Sequence, residues 1–116
     1  MDFQKLKLGG YKNIYVTNLP GNVELPFETA KSSFDCLLAF VQTEEQVDKA
    51  ISKTKSGDSE IYLILAYPKS TSKKYKTQVN RNSIVAKIKS EGNFRAPKLV
   101  SLDQDWSGFS FKYGSK

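Results

Sequence analysis

Histidine is absent from these 116 residues, and cysteine, tryptophan and methionine occur once each. Without histidine the chain lacks the usual general base near neutral pH and the commonest metal ligand. With Cys36 alone there is neither an intramolecular disulfide nor a cysteine pair for zinc. Metalloenzyme, Cys-His and Ser-His chemistries are left without their residues, so no catalytic residue, metal site or cofactor is expected. Cys36 sits inside FDCLLAFV, where a small apolar residue suits a buried strand; a reactive thiolate needs an electropositive, partly exposed site. No apolar run reaches the ~20 residues that span a bilayer, and the start, MDFQKLKLGG, lacks an apolar core of signal-peptide length. The expected location is the cytoplasm, with no membrane contact.

Hydrophobic residues make up 39% of the chain and charged residues 26%, values of a folded globular protein rather than a disordered one. The length suits one domain over residues 1–116, since a second would have no core of its own. The net charge of +6 is unevenly spread. Residues 1–68 carry seven basic and nine acidic side chains, and residues 99–116 carry two of each. Between Lys69 and Lys98 nine basic residues face Glu91 alone, so the positive charge belongs to one connection and its helix.

The strongest strand signal is EIYLILAYPK, residues 60–69, a β-branched, aromatic and aliphatic run stopped by Pro68. A strand apolar on both sides needs both faces covered, which predicts a central position in a sheet flanked by helices. Before it, NIYVTN (13–18) predicts a first strand ended by the breaker run Leu19-Pro20-Gly21-Asn22. Gly9 and Gly10 precede that strand, whereas a dinucleotide cradle needs its glycines after it, opening a helix. A short edge strand is expected near 27–30, and FDCLLAFV (34–41) is a second buried strand. Thr43 caps the next helix, with Gln46 at the capping-box position, Val47, Ala50 and Ile51 as its apolar stripe, and Gly57 as its stop. The other face, with Glu44, Glu45, Asp48, Lys49 and Lys53, reads as solvated. Strand, helix, strand predicts a parallel crossover.

A second helix is expected over 82–91, capped by Asn80 or Asn82 and stopped by Gly92, with Ile84, Val85 and Ile88 inward and Ser83, Lys87 and Glu91 toward water. Pro97 introduces a strand over 98–102, a turn follows at 103–107, and GFSFKY completes an antiparallel pair. With two clear helices, one sheet face is thinly covered, which leaves room for a homodimer.

The succession Ala66-Tyr67-Pro68-Lys69, Ser70, Ser72, Asn80-Arg81, Asp103, Trp106-Ser107 and Phe111 resembles a family of short bacterial proteins known only as a domain of unknown function. The resemblance covers about residues 34–112. More distantly, the layout is similar to the C-terminal half of the S-adenosylmethionine-dependent methyltransferase fold. That likeness implies a Rossmann-like α/β domain with a mixed, mostly parallel sheet of five or six strands. Its order would be edge, 13–18, 34–41, 61–67, 108–113, 98–102, with strand 108–113 antiparallel. The methyltransferase cofactor loop, acidic strand end and Asn-Pro-Pro-Tyr tetrad have no match here, since Ala39-Phe40-Val41-Gln42 stands in the tetrad's place. Methyl transfer is not expected.

In a parallel sheet, ligands bind beyond the carboxyl ends of strands, where the loop KSTSKKYK emerges. An anion site is expected from Lys69, Ser70, Ser72, Lys73, Lys74 and Arg81, aided by the start of the second helix. A solvated loop is the competing reading. Tyr67 or Tyr75 could serve as a stacking face for nucleic acid, although no nucleic-acid motif is present. Asp103, Trp106 and Ser107 are read as structural or partner-binding, with Asp103 holding the loop, Trp106 anchoring the core and its indole N–H finding a backbone acceptor. Arg81 is either an anion clamp or a structural fork to Asp103 or a backbone carbonyl. The expected function is a non-catalytic module binding an anionic small molecule or a protein through the basic loop. The alternatives are a degenerate methyltransferase-like enzyme that retains cofactor or phosphate binding, and a weak nucleic-acid binder.

Overall fold

The computed structural model describes residues 3–6, 8–21, 23–56 and 60–114. Five strands form one mixed sheet: β1 (Ile14–Thr17), β2 (Cys36–Phe40), β3 (Ile61–Pro68), β4 (Phe94–Ser101) and β5 (Trp106–Tyr113). Helix α1 (Glu44–Lys55) joins β2 to β3, and α2 (Arg81–Glu91) joins β3 to β4. The strand order is β1-β2-β3-β5-β4. The two pairings among β1, β2 and β3 are parallel, and the two made by β5 are antiparallel. The expectation of a mostly parallel sheet is therefore corrected to an even split, while the insertion of the last strand between β3 and β4 matches the expected order. No strand forms near 27–30 among the described residues; instead the Ala30 amide donates singly to the Ile14 carbonyl, 2.7 Å away, beside β1. Pro26, just before this stretch, supplies no amide of its own.

The central position of β3 follows from its composition. Leu63, Ile64, Leu65 and Ala66 are wholly buried, and their alternation divides the core in two. Leu63, Leu65 and Tyr67 pack with Leu37 and Ala39 of β2 under Val47, Ala50 and Ile51 of α1 and Ile84 and Ile88 of α2. Ile64 and Ala66 pack on the opposite side with Cys36, Leu38 and Phe40 against Trp106, Phe3, Leu6 and Leu8. Burying each such aliphatic side chain contributes ~1.5–3 kcal/mol.

Both helices thus lie on one face, which corrects the expectation that helices flank β3 on two sides. The second face is covered without a helix of that length. The 3-10 turns Phe3–Leu6 and Leu8–Gly10 lie across it, and Phe27 meets Phe3 edge to face at 6.3 Å. Asp35 ties the covering segment down, accepting from the Lys12 and Asn13 amides at 2.9 and 2.8 Å. The thinly covered face expected from the helix count is accordingly not bare. Short 3-10 turns and irregular chain cover it, and these carry no helical or strand periodicity in the sequence.

Helix boundaries follow their caps. Thr43 Oγ1 accepts from the Gln46 amide, while the Gln46 side chain reaches one residue further back than expected, to the Gln42 amide at 2.7 Å. The stop expected at Gly57, like Asn22 of the breaker run, lies outside the described residues. Asn80 is the cap of α2, and Ser83, expected to face water, completes a reciprocal capping box with it. Gly92 ends α2 at φ +72°, a conformation open to glycine at little cost. The charges on the helices are not merely solvated: Lys87 of α2 meets Asp48 of α1 at 2.9 Å, and Lys55 meets Glu91 at 2.7 Å. Strand β4 begins at Phe94, before Pro97, because a bulge between Arg95 and Lys98, with Ala96 at φ +55°, absorbs the proline on an edge strand.

Candidate functional site

The carboxyl ends of β1, β2 and β3 open onto the same end of the sheet as the turn between β4 and β5. The loop 69–80 leaves β3 there, and its first half is stitched to that turn. The Lys69 amide donates to the Asp105 carbonyl at 2.7 Å, and Ser72 Oγ donates to Asp105 Oδ1 at 2.8 Å. Ser72 Oγ also accepts from the Tyr75 amide at 3.2 Å and the Lys74 amide at 3.3 Å. Its second half is held to the corner between β2 and α1, where the Gln78 amide donates to the Gln42 carbonyl and Gln42 Nε2 to the Lys76 carbonyl. The loop is therefore a braced connection.

Within the β4–β5 turn, Asp103 Oδ1 accepts from the Asp105 and Trp106 amides, both at 2.8 Å. This is the loop-holding role expected for Asp103. Trp106 is 1% exposed and is an anchor of the core, as expected. Phe40 and Tyr75 meet its ring edge to face at 5.5 and 4.9 Å. The expected backbone acceptor for its indole is absent: Nε1 is buried without a hydrogen-bond partner among the described residues. Ser107 lies opposite Tyr67 in the β3–β5 ladder. Burial pushes the Tyr67 phenol above its ordinary value, against the opposing pull of the Arg81 guanidinium and the Ser107 hydroxyl.

The expected anion residues do not share one concavity. Lys69 Nζ donates to Ser101 Oγ on β4, and Ser72 is used up by Asp105 and two amides. Ser70, Lys73, Lys74 and Arg81 are exposed. Lys74 lines a cleft of about 160 Å³ in which Glu24, Asp103 and Asp105 outnumber it, so the cavity at this end of the sheet is acidic. Arg81 makes no fork to Asp103; it lines a separate groove along α2. Tyr67, 5% exposed, offers no stacking face, and the Tyr75 ring is engaged by Trp106. Sequence spacing brought the cations into one loop but carried no sign of the Ser72–Asp105 bond, which joins residues 33 apart.

Elsewhere the chemistry is sparse. Cys36 is fully buried, and that burial, reinforced by the Asp35 charge, raises its thiol well above the ordinary range. Among the described residues no cluster of three histidine, cysteine or carboxylate side chains is placed to hold a metal ion. No helix among them is long and apolar enough to cross a membrane. No family model matches the chain, and no curated protein matches it.

Proposed function

We propose that this α/β domain is a non-catalytic binding module that engages an acidic segment of another protein through loop 69–80 and the adjoining flank of α2. The carrying observation is how the fold disposes of its cations. Lys55, Lys87, Arg95 and Lys112 are matched by Glu91, Asp48 with Glu44, and Glu60. Lys73, Lys74, Lys76, Arg81 and Lys89 have no such carboxylate partner among the described residues, while the nearby Asp103 and Asp105 are spent on the turn and on Ser72. Exposed, unmatched charge of one sign steers and selects an oppositely charged partner. An extended acidic surface suits a row of cations on a loop and helix better than a small anion does, since no one concavity gathers all five: Arg81 and Lys89 line a groove along α2, and Lys74 a separate cleft.

An NMR titration with a poly-glutamate peptide tests this. Shifts at residues 73–81 that fade between low and high salt support it. Binding unchanged in a Lys73→Glu/Lys74→Glu/Lys76→Glu variant, or tighter binding to duplex DNA than to the peptide, overturns it.

A second reading rests on the strand order, with an antiparallel strand inserted before the last. It is that of a reduced relative of the methyltransferase fold, in the unknown-function family that the AYPK and D-x-x-W-S residues resemble, retaining cofactor or phosphate binding. The placement of both helices on one face weighs against it, because doubly wound folds cover both. A thermal shift with millimolar S-adenosylmethionine would favour this second reading; none would count against it.

A further inference from the structure

Between α2 and the outer strands runs a groove of about 480 Å³. Val85 and Ile88 form its helical wall, Leu99 and Phe111 belong to the sheet side, and Arg81 and Lys89 line it one turn before Val85 and one turn after. No carboxylate lines it. Leu99 is 45% exposed, one of two large apolar side chains left so open among the described residues. Apolar surface held between two uncompensated cations, about 12 Å apart along the helix by its rise per residue, is matched by apolar side chains flanked by negative charge.

The neighbouring sheet edge narrows how a partner would sit. Strand β4 is a border strand, but its bulge and Pro97 break the backbone edge, and Lys5 Nζ occupies the Ser101 carbonyl at 3.0 Å. Extension of the sheet by another strand is blocked at both places, which leaves side-chain insertion into the groove. We propose that the groove between α2 and β4 seats the apolar anchor of a protein segment whose bulky aliphatic or aromatic residues lie between carboxylates that meet Arg81 and Lys89. This rests on the reading of the cationic flank as a site for an acidic protein. The separation of about 12 Å between Arg81 and Lys89 corresponds to about two helical turns or four extended residues of the partner. An acyl chain would use one cation and leave the second unmatched.

Selection of random twelve-residue peptides displayed against the full chain tests this without knowledge of the natural partner. Enriched peptides are expected to place Asp or Glu around Leu, Ile, Phe or Trp, and to shift the methyl signals of Val85, Ile88 and Leu99. Leu99→Asp, at an exposed position, and separately Arg81→Glu/Lys89→Glu are each expected to weaken them ~10-fold or more while the thermal transition stays in place. No enrichment, or enrichment of peptides without acidic residues, overturns both this proposal and the acidic-partner reading. Peptides weakened by Lys73→Glu/Lys74→Glu/Lys76→Glu but indifferent to Leu99→Asp and to the Arg81/Lys89 pair overturn the groove alone. Displacement of the selected peptides by oleate but not by poly-glutamate assigns the groove to a lipid and likewise overturns it.

Discussion

Ser72 and Asp105, 33 positions apart in the chain, are joined by a hydroxyl-to-carboxylate hydrogen bond of 2.8 Å that links the loop after β3 to the β4–β5 turn. The same hydroxyl accepts from two loop amides, so one oxygen organises residues 72–75. Ser72→Ala is expected to cost ~1–3 kcal/mol, the range for stranding a partner of a charged acceptor and two donors, with part recovered by water. Urea unfolding gives the cost. Faster amide exchange confined to Lys74 and Tyr75 distinguishes a loosened loop from global destabilisation; unchanged exchange there would contradict the bracing role.

Asp103 holds the turn through the amides of Asp105 and Trp106. Asp103→Ala should destabilise by ~1–3 kcal/mol. Asp103→Asn, which retains an acceptor oxygen, should recover most of that. Tryptophan fluorescence is the direct readout, because Trp106 begins the strand that this turn orients. An emission maximum unmoved in Asp103→Ala would show that the turn closes without its side chain.

The buried indole N–H of Trp106, without a hydrogen-bond partner among the described residues, makes a graded prediction. Trp106→Ala should cost ~3–5 kcal/mol for the cavity between Phe40 and Tyr75. Trp106→Phe loses less volume and also removes a donor whose stranded burial costs ~1–3 kcal/mol, so its loss should be far smaller. Equal losses in the two variants would mean that the indole does find a partner.

Two titrating groups on the second face bound the pH range. Burial raises the Tyr11 phenol from 10.0 to about 12, with the neighbouring Cys36, Tyr62 and Asp35 adding to it. A raised folded value means that this contribution is complete below pH 10.0 and disappears as the pH climbs toward about 12. Asp35 behaves oppositely: burial opposes its charge, but the Lys12 and Asn13 amides prevail and lower its value below 3.8. Its contribution is complete above pH 3.8 and lost as acid carries the pH through that lowered value. Tyr11→Phe should flatten the alkaline decline, and Asp35→Asn the acid one, in denaturation midpoints measured across pH.

Cys36 gives a clock for opening. At zero exposure and with its thiol shifted upward, it should resist a disulfide reagent in the native state and react at the rate at which the core opens. Rapid stoichiometric labelling without denaturant would contradict its burial between β1 and β3.

Much of the architecture was readable because it rests on local chemistry. The apolar run LILA in β3, the Thr43 and Asn80 caps and the Gly92 stop each act within a few residues, and each lies where its composition points. The edge strand near 27–30 and the late start of β4 misled for the same reason: propensity near proline does not register whether a bulge or a single amide bond takes up the strain. The site was less legible. Lys69 and Ser72 look available in a loop of cations and hydroxyls, yet Ser101 accepts one bond from the Lys69 ammonium and Asp105 takes the Ser72 hydroxyl proton, both from more than 30 residues later.

Residue order alone settles the absence of histidine chemistry, the concentration of cations between Lys69 and Lys98, and the need for β3 to be covered on both faces, since these depend on side-chain type and spacing. Which cations stay unmatched, which face carries both helices, and why the cleft by Trp106 is acidic emerge from folding, because hydrogen bonds and ion pairs join whichever partners the sheet order brings within ~3 Å.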